Sequence, residues 1–228
     1  MFNSRGEVSM KKNKNEVIRP QTMGEEIANA ITHGVGTLLA IAGCVIAIVY
    51  AAAFGDALSV VSASLYGSGL ILLYLFSTLY HSLTNPKAKK VFRVFDHCSI
   101  FILILSSYIP ISLSLLRGAL GWTLFGINAA CTVLGIVFNS VNLEKWKGVS
   151  LVLYIIMGWS VVFVCSSVFA SVPPAGIALL VTGGAAYTIG VIFYKLPQYK
   201  YMHSVWHLFV LAGSVLHFFF ILFYTLKR

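Results

Sequence analysis

The chain has 228 residues, 58% hydrophobic and only 10% charged, with a formal net charge of +9. Soluble domains carry about 25% charged residues, and so few charges cannot cover a soluble surface of this size. That excludes a cytosolic globular enzyme, a nucleic-acid binder and a disordered chain. The positive charge is therefore read by position, because in a membrane protein Lys and Arg encode orientation.

A spanning helix needs roughly 20 mostly apolar residues. The chain offers seven such runs: Ile27–Phe54, Leu58–Ser82, Val91–Leu116, Ala119–Val141, Val149–Ala170, Ala175–Tyr194 and Tyr201–Leu226. They are separated by loop chemistry at Gly55-Asp56, Asn85-Pro86-Lys87, Arg117-Gly118, Asn142 to Gly148, Pro173-Pro174 and Leu196-Pro197. A barrel would show strands alternating with a period of two, which is absent. The expected fold is an all-α integral membrane protein, a bundle of seven transmembrane helices. It comprises a basic, flexible cytoplasmic tail over residues 1–24 and a membrane domain over residues 25–228.

Of the 16 Lys and Arg, 13 fall in the tail and the second, fourth and sixth loops. Only Arg117, Lys227 and Arg228 fall on the opposite side. The positive-inside rule places the N-terminus in the cytoplasm and the C-terminus outside a multi-pass protein of the cell (plasma) membrane. The polar tail lacks a signal-peptide pattern, so the first span is expected to act as an uncleaved insertion signal. Cys44, Cys98, Cys131 and Cys165 all fall within spans without metal or redox spacing, and read as small buried apolar residues.

Ionisable groups inside a membrane are costly and point to function. Here they are His33, His81, Asp96, His97, His203, His207 and His217, with Glu25 and Glu26 just before the first span. The topology puts His33, His81, Asp96, His97, His203 and His207 at helix ends on the cytoplasmic side. Only His217 lies deeper. His203 and His207 are four residues apart and share a helix face, the spacing with which two imidazoles grip one metal. His81 from span two would supply a third imidazole, with Ser77 one turn before it. Three protein ligands leave a fourth zinc position for water, which Asp96 would orient or deprotonate. A lone intramembrane histidine is more often a helix-contact residue; it is the shared depth that favours a metal. His97 is the rival ligand, turned about 100° from Asp96. His217 reads as a packing residue. Glu26, Asn29 and His33 share one face of span one and are placed to hydrogen-bond to the ligands. Gly67, Gly69, Gly183 and Gly184 read as sites of close helix packing. Trp122, Trp146, Trp159 and Trp206 read mainly as lipid-facing or interfacial anchors.

Three segments carry a resemblance that runs from about Glu25 to the C-terminus. They are Glu26-Ile-Ala-Asn29-Ala-Ile-Thr32-His33-Gly34; Ser77-Thr-Leu-Tyr80-His81 with Phe95-Asp96-His97; and His203-Ser-Val-Trp206-His207 with Phe209-Val210-Leu211 and Gly213-Ser214. The chain resembles the hemolysin III proteins, the bacterial branch of the progestin and adipoQ receptor family. The resemblance implies seven helices, an inner N-terminus and a zinc ion (Zn2+) near the cytoplasmic face. By position, His81, His203 and His207 would be its ligands, Asp96 would act through water and Ser77 would lie nearby. It also implies metal-dependent hydrolysis of a lipid amide or ester, as suggested by eukaryotic relatives linked to ceramide hydrolysis, and a part in membrane-lipid homeostasis. One departure is Ile109 in Tyr108-Ile109-Pro110, where bacterial relatives often have Thr.

The expected partners are membrane lipids, including a lipid substrate, and not nucleic acid. Two alternatives use the same residues differently. One is a cytolytic pore-former, which would need polar lining across the full depth of the membrane; this chain concentrates polarity in the inner leaflet. The other is a zinc-stabilised sensor or receptor of membrane state without catalysis.

Overall fold

A computed structural model describes residues 19–227. The described residues are helical, without strands. Helix α1 spans Met23–Phe54, α2 Ala57–Ser82 and α3 Pro86–Ile109, with α3 passing into a π-helical turn at Pro110–Leu116. Helix α4 spans Gly118–Gly158, a 3-10 turn covers Ser160–Val164, and α5 is the short Cys165–Ser171. Helices α6 (Pro174–Tyr194) and α7 (Met202–Tyr224) complete the chain.

Most starts are encoded locally. Thr22 caps α1 in a reciprocal capping box with Glu25. Asp56 caps α2 by accepting from the Ser59 amide at 3.0 Å. Asn85 caps α3 through the Lys87 and Ala88 amides, with Pro86 in the first turn. The expected second loop is therefore shorter than anticipated: Lys87, Lys89 and Lys90 belong to the first turns of α3. The basic tail lies outside the described residues up to residue 18. From Arg19 onward the chain is tied to α1, with Arg19 Nη1 2.8 Å from a Glu25 oxygen and the Gln21 amide oxygen accepting from Asn29 at 2.8 Å.

By length and apolarity, six helical stretches suffice to cross a membrane. The fourth, Gly118–Ser171, holds both the fourth and the fifth expected spans. At 41 residues α4 would extend about 60 Å, but Asn142 has non-helical backbone (φ −160°, ψ 91°). Its side chain accepts from the Lys145 amide at 3.0 Å. Asn142 thus acts as an internal cap dividing two helical runs, and what reads as a loop from Asn142 to Gly148 is a single-residue kink. The second run ends in the 3-10 turn at Ser160, so the expected span Val149–Ala170 is not one continuous helix.

Neighbour packing runs in the order α4, α3, α2, α1, α7, α6. α6 packs closely on α7, while none of its close packing is against α4 or α5. Glycines bring helices together at specific points. A Cβ on Gly67 would overlap Cys44, one on Gly69 would overlap Ser106, and one on Gly183 would overlap His217. Gly184 is looser, with only Trp159 at 3.9 Å or beyond.

The exterior is apolar, with Val141 75% and Phe163 85% exposed, while Asn29, His33, Asn128 and His207 are buried. A soluble monomer does not expose apolar surface on this scale. The chain is a membrane protein whose polar residues face inward. Cys98 is buried, the other three cysteines are half-buried, and all four thiols are free.

Candidate metal centre

Three helices deliver the site. His81 ends α2, while His203 and His207 lie in the first two turns of α7. Helix α1 packs between α2 and α7 and brings Glu26, Asn29, Thr32 and His33 alongside. One nitrogen from each of His81, His203 and His207 lies within 4.8 Å of the others. Their ring centres are 4.7 to 5.2 Å apart.

The hydrogen bonds define which nitrogen is free. Nδ1 of His81 lies 2.7 Å from Glu26 Oε2 and donates to it. The Asn29 amide, 3.5 Å from the same nitrogen, is then a neighbour rather than a partner; it donates to Gln21 instead. Thr32 Oγ1 donates to the carbonyls of Ala28 or Asn29 at 2.9 Å, so Nδ1 of His207, 3.2 Å away, donates to Thr32. In both rings Nε2 keeps its lone pair. Nε2 of His81, His203 and His207 are all buried without a hydrogen-bond partner among the described residues. A buried, unsatisfied polar atom costs about 1–3 kcal/mol. Three of the same kind in one cluster fit a cation, and neutral imidazoles suit zinc, copper, iron or nickel.

Around this group the chain is tightly braced. Ser204 Oγ donates to Asn29 Oδ1 at 2.6 Å, tying α7 to α1. His33 is stacked on His207, with ring centres 3.5 Å apart and planes 10° apart, and meets Tyr74 edge-on at 5.0 Å. Lys89 Nζ lies 2.9 Å from the second Glu26 oxygen. A surface groove lined by Gln21, Glu26, His81 and Lys89 reaches the cluster from the α1–α2 side. Ser77, one turn before His81, is buried, with its hydroxyl beside the Asp96 carboxyl.

Asp96 is buried in α3 and lines a separate internal cavity of about 220 Å³ together with His33 and His97. The three clustered histidines are not among that cavity's lining residues; His33, stacked on His207, and Trp206, beside His203 and His207, form the wall next to them. His97, the rival ligand, lies outside the three-nitrogen group; it faces the cavity, and its carbonyl accepts from Tyr154 at 2.7 Å. His217 holds the Leu180 carbonyl at 3.0 Å and contacts Tyr187, as a helix-contact residue does. Trp122 is exposed, but Trp159 and Trp206 line the cavity, which corrects their reading as membrane anchors. Sequence reasoning missed Thr32 and Ser204. Each stands next to a singled-out histidine, but a Ser or Thr in a membrane helix usually bonds its own backbone, which masks such a role.

Comparison with known proteins gives the family. Residues 21–218 match the family described as Haemolysin-III related. The chain is 43% identical over 206 residues to Hemolysin-3 of Bacillus cereus, covering 90% of this chain and 94% of that protein. It is 42% identical over 206 residues to the Hemolysin-3 homolog of Bacillus subtilis (strain 168), covering 90% and 97%. The human Monocyte to macrophage differentiation factor is 29% identical over 208 residues, covering 87% and 83%. A match across most of the chain, including every segment that builds the histidine cluster up to His207, places this protein in the haemolysin III-related family.

Proposed function

We propose that this protein is a zinc-dependent hydrolase of a lipid amide or ester, working inside the membrane in lipid homeostasis. The observation that carries this is the set of three buried, unpaired Nε2 atoms on His81, His203 and His207. When bound, zinc supplies Lewis-acid polarisation of a carbonyl and a water of lowered pKa. In this reading the three imidazoles hold the ion, Glu26 and Thr32 fix the tautomers of His81 and His207, and His33 and Asn29 keep α1 and α7 in register. Asp96 accepts the proton of the attacking water, and Ser77 orients the carbonyl beside it. The lipid reaches Asp96 through the apolar cavity; such a wall argues against a water-filled pore.

The same reading has seven crossings, the kink at Asn142 separating the fourth from the fifth. It places the N-terminus and the histidine cluster on the cytoplasmic side of the plasma membrane. The charge asymmetry of 13 against 3 supports this orientation.

The test is metal content and lipid turnover of purified protein beside the His203→Ala, His207→Ala double variant. About one zinc per chain in the wild type and none in the variant, with turnover lost, is the expected outcome. Wild-type protein that holds no zinc sinks the reading. Zinc without turnover of any amide or ester lipid leaves a structural clamp and removes the enzyme.

A further inference from the structure

The internal cavity is apolar over most of its wall and has one unusual feature at its inner end. Lys147, half-buried, lines it and lies near His97. Lys147 has no ion-pair partner among the described residues. The nearby carboxylate, Glu144, is ion-paired to Arg93 and acts on Lys147 only through space. The Lys147 ammonium lies over the Tyr194 ring, 5.5 Å from its centre. A cation facing an apolar cavity with an aromatic face and only a shared carboxylate nearby is an incompletely compensated charge.

The other end of the cavity leads out of the bundle. Its wall includes Val162, Phe169 and Val181, exposed by 54%, 55% and 46%. These belong to the α4–α5 and α6 segments, which are bridged by the Trp159–Thr188 hydrogen bond at 3.1 Å but otherwise pack loosely. An apolar tail can therefore enter from the bilayer while its polar end lies against Lys147.

We propose that Lys147 makes this cavity selective for single-chain amphiphiles with an anionic group, a carboxylate or a phosphate. The inference deepens the hydrolase reading, on which it rests for the bound molecule's role as substrate or product. The ammonium is within reach of the headgroup by charge-assisted hydrogen bonding. Neutral and cationic amphiphiles of equal length gain nothing from Lys147 and bind more weakly.

The test is binding to the full-length protein in neutral detergent, read by quenching of Trp159 and Trp206 in the cavity wall. The probes are 12-bromododecanoate, 12-bromododecyl phosphate and 12-bromododecanol, with Trp159→Phe, Trp206→Phe as the signal control. Wild type is expected to prefer one or both anions over the alcohol by about tenfold, and the tighter anion identifies the headgroup. Lys147→Gln should lose that preference while still binding the alcohol, which shows that it is folded, and Lys147→Arg should keep it. The same preference should survive in the His203→Ala, His207→Ala variant. Equal binding of alcohol and anions by wild type overturns the proposal, as does a preference retained in Lys147→Gln. A preference lost with the two histidines would mean that the metal holds the anion, and overturns it too. Selective binding without hydrolysis would leave the Lys147 site standing and remove the hydrolase reading alone.

Discussion

Glu26 Oε2 lies 2.7 Å from His81 Nδ1, across a sequence separation of 55 residues. The carboxylate fixes His81 with its proton on Nδ1 and its lone pair on Nε2, the buried atom that has no other partner. A carboxylate on the far nitrogen also makes an imidazole a better donor to a metal. Glu26→Gln should weaken metal binding by about 10–100-fold while leaving the fold intact. Competition against a chromophoric chelator reads this directly, and an unchanged affinity would remove Glu26 from the site.

Metal removal should cost stability because the three imidazoles are assembled only in the folded chain. With free zinc at about 100 times its dissociation constant, the bound ion stabilises by about 2.7 kcal/mol. Stripping zinc with a chelator should therefore lower the thermal midpoint of wild type and restore it on readdition. His207→Ala should start at the lower midpoint and show no response to zinc. A wild-type midpoint indifferent to the chelator would argue against a resident ion.

At the opposite end of the bundle, Arg117 has φ 53° and ψ −179°, a backbone region that disfavours side chains. Its guanidinium is held by the Ser114 carbonyl at 2.9 Å and by Asp56 at 2.7 Å. The guanidinium holds the Asp56 carboxyl well below its ordinary value of 3.8, and the Ser59 amide adds to this. A carboxyl depressed in the folded state contributes stability that is complete above about pH 5 and is lost as pH falls through and below its ordinary value. Thermal stability should fall between about pH 5 and about pH 2, and Asp56→Asn should flatten part of that fall. Added salt should weaken the effect, since both side chains are partly exposed. Identical pH profiles for the two proteins would contradict it.

Gly135 in α4 lies against the tip of the fully buried Phe101 ring of α3, and a Cβ there would overlap that ring. Gly135→Ala should destabilise by about 1–3 kcal/mol through overpacking. Gly126→Ala, where the added atom meets open space, serves as the matched control and should be neutral or slightly stabilising. Equal effects at the two positions would show that this contact does not set the α3–α4 spacing.

Hydropathy and charge made the helical membrane architecture legible, because a helix in lipid must satisfy its backbone within about 20 residues. The breaks at Asp56 and Asn85 were legible as loop chemistry, and the structure shows both residues as helix caps. The four-residue spacing of His203 and His207, with His81 at the same depth, pointed to the cluster before any coordinates. What the sequence could not contain was the angular relation between helices. Whether His33 or His97 stands beside the cluster depends on how α1 and α3 are rotated, and side-chain packing sets that rotation. The fold put His33 against His207 and turned His97 to the cavity. Asn142 reads as part of a loop, yet its side-chain cap lets helix resume at the next residue. Lys147 counted only as a topology charge until Arg93 was seen to take Glu144, because the pairing of charges on different helices is a property of the assembled bundle.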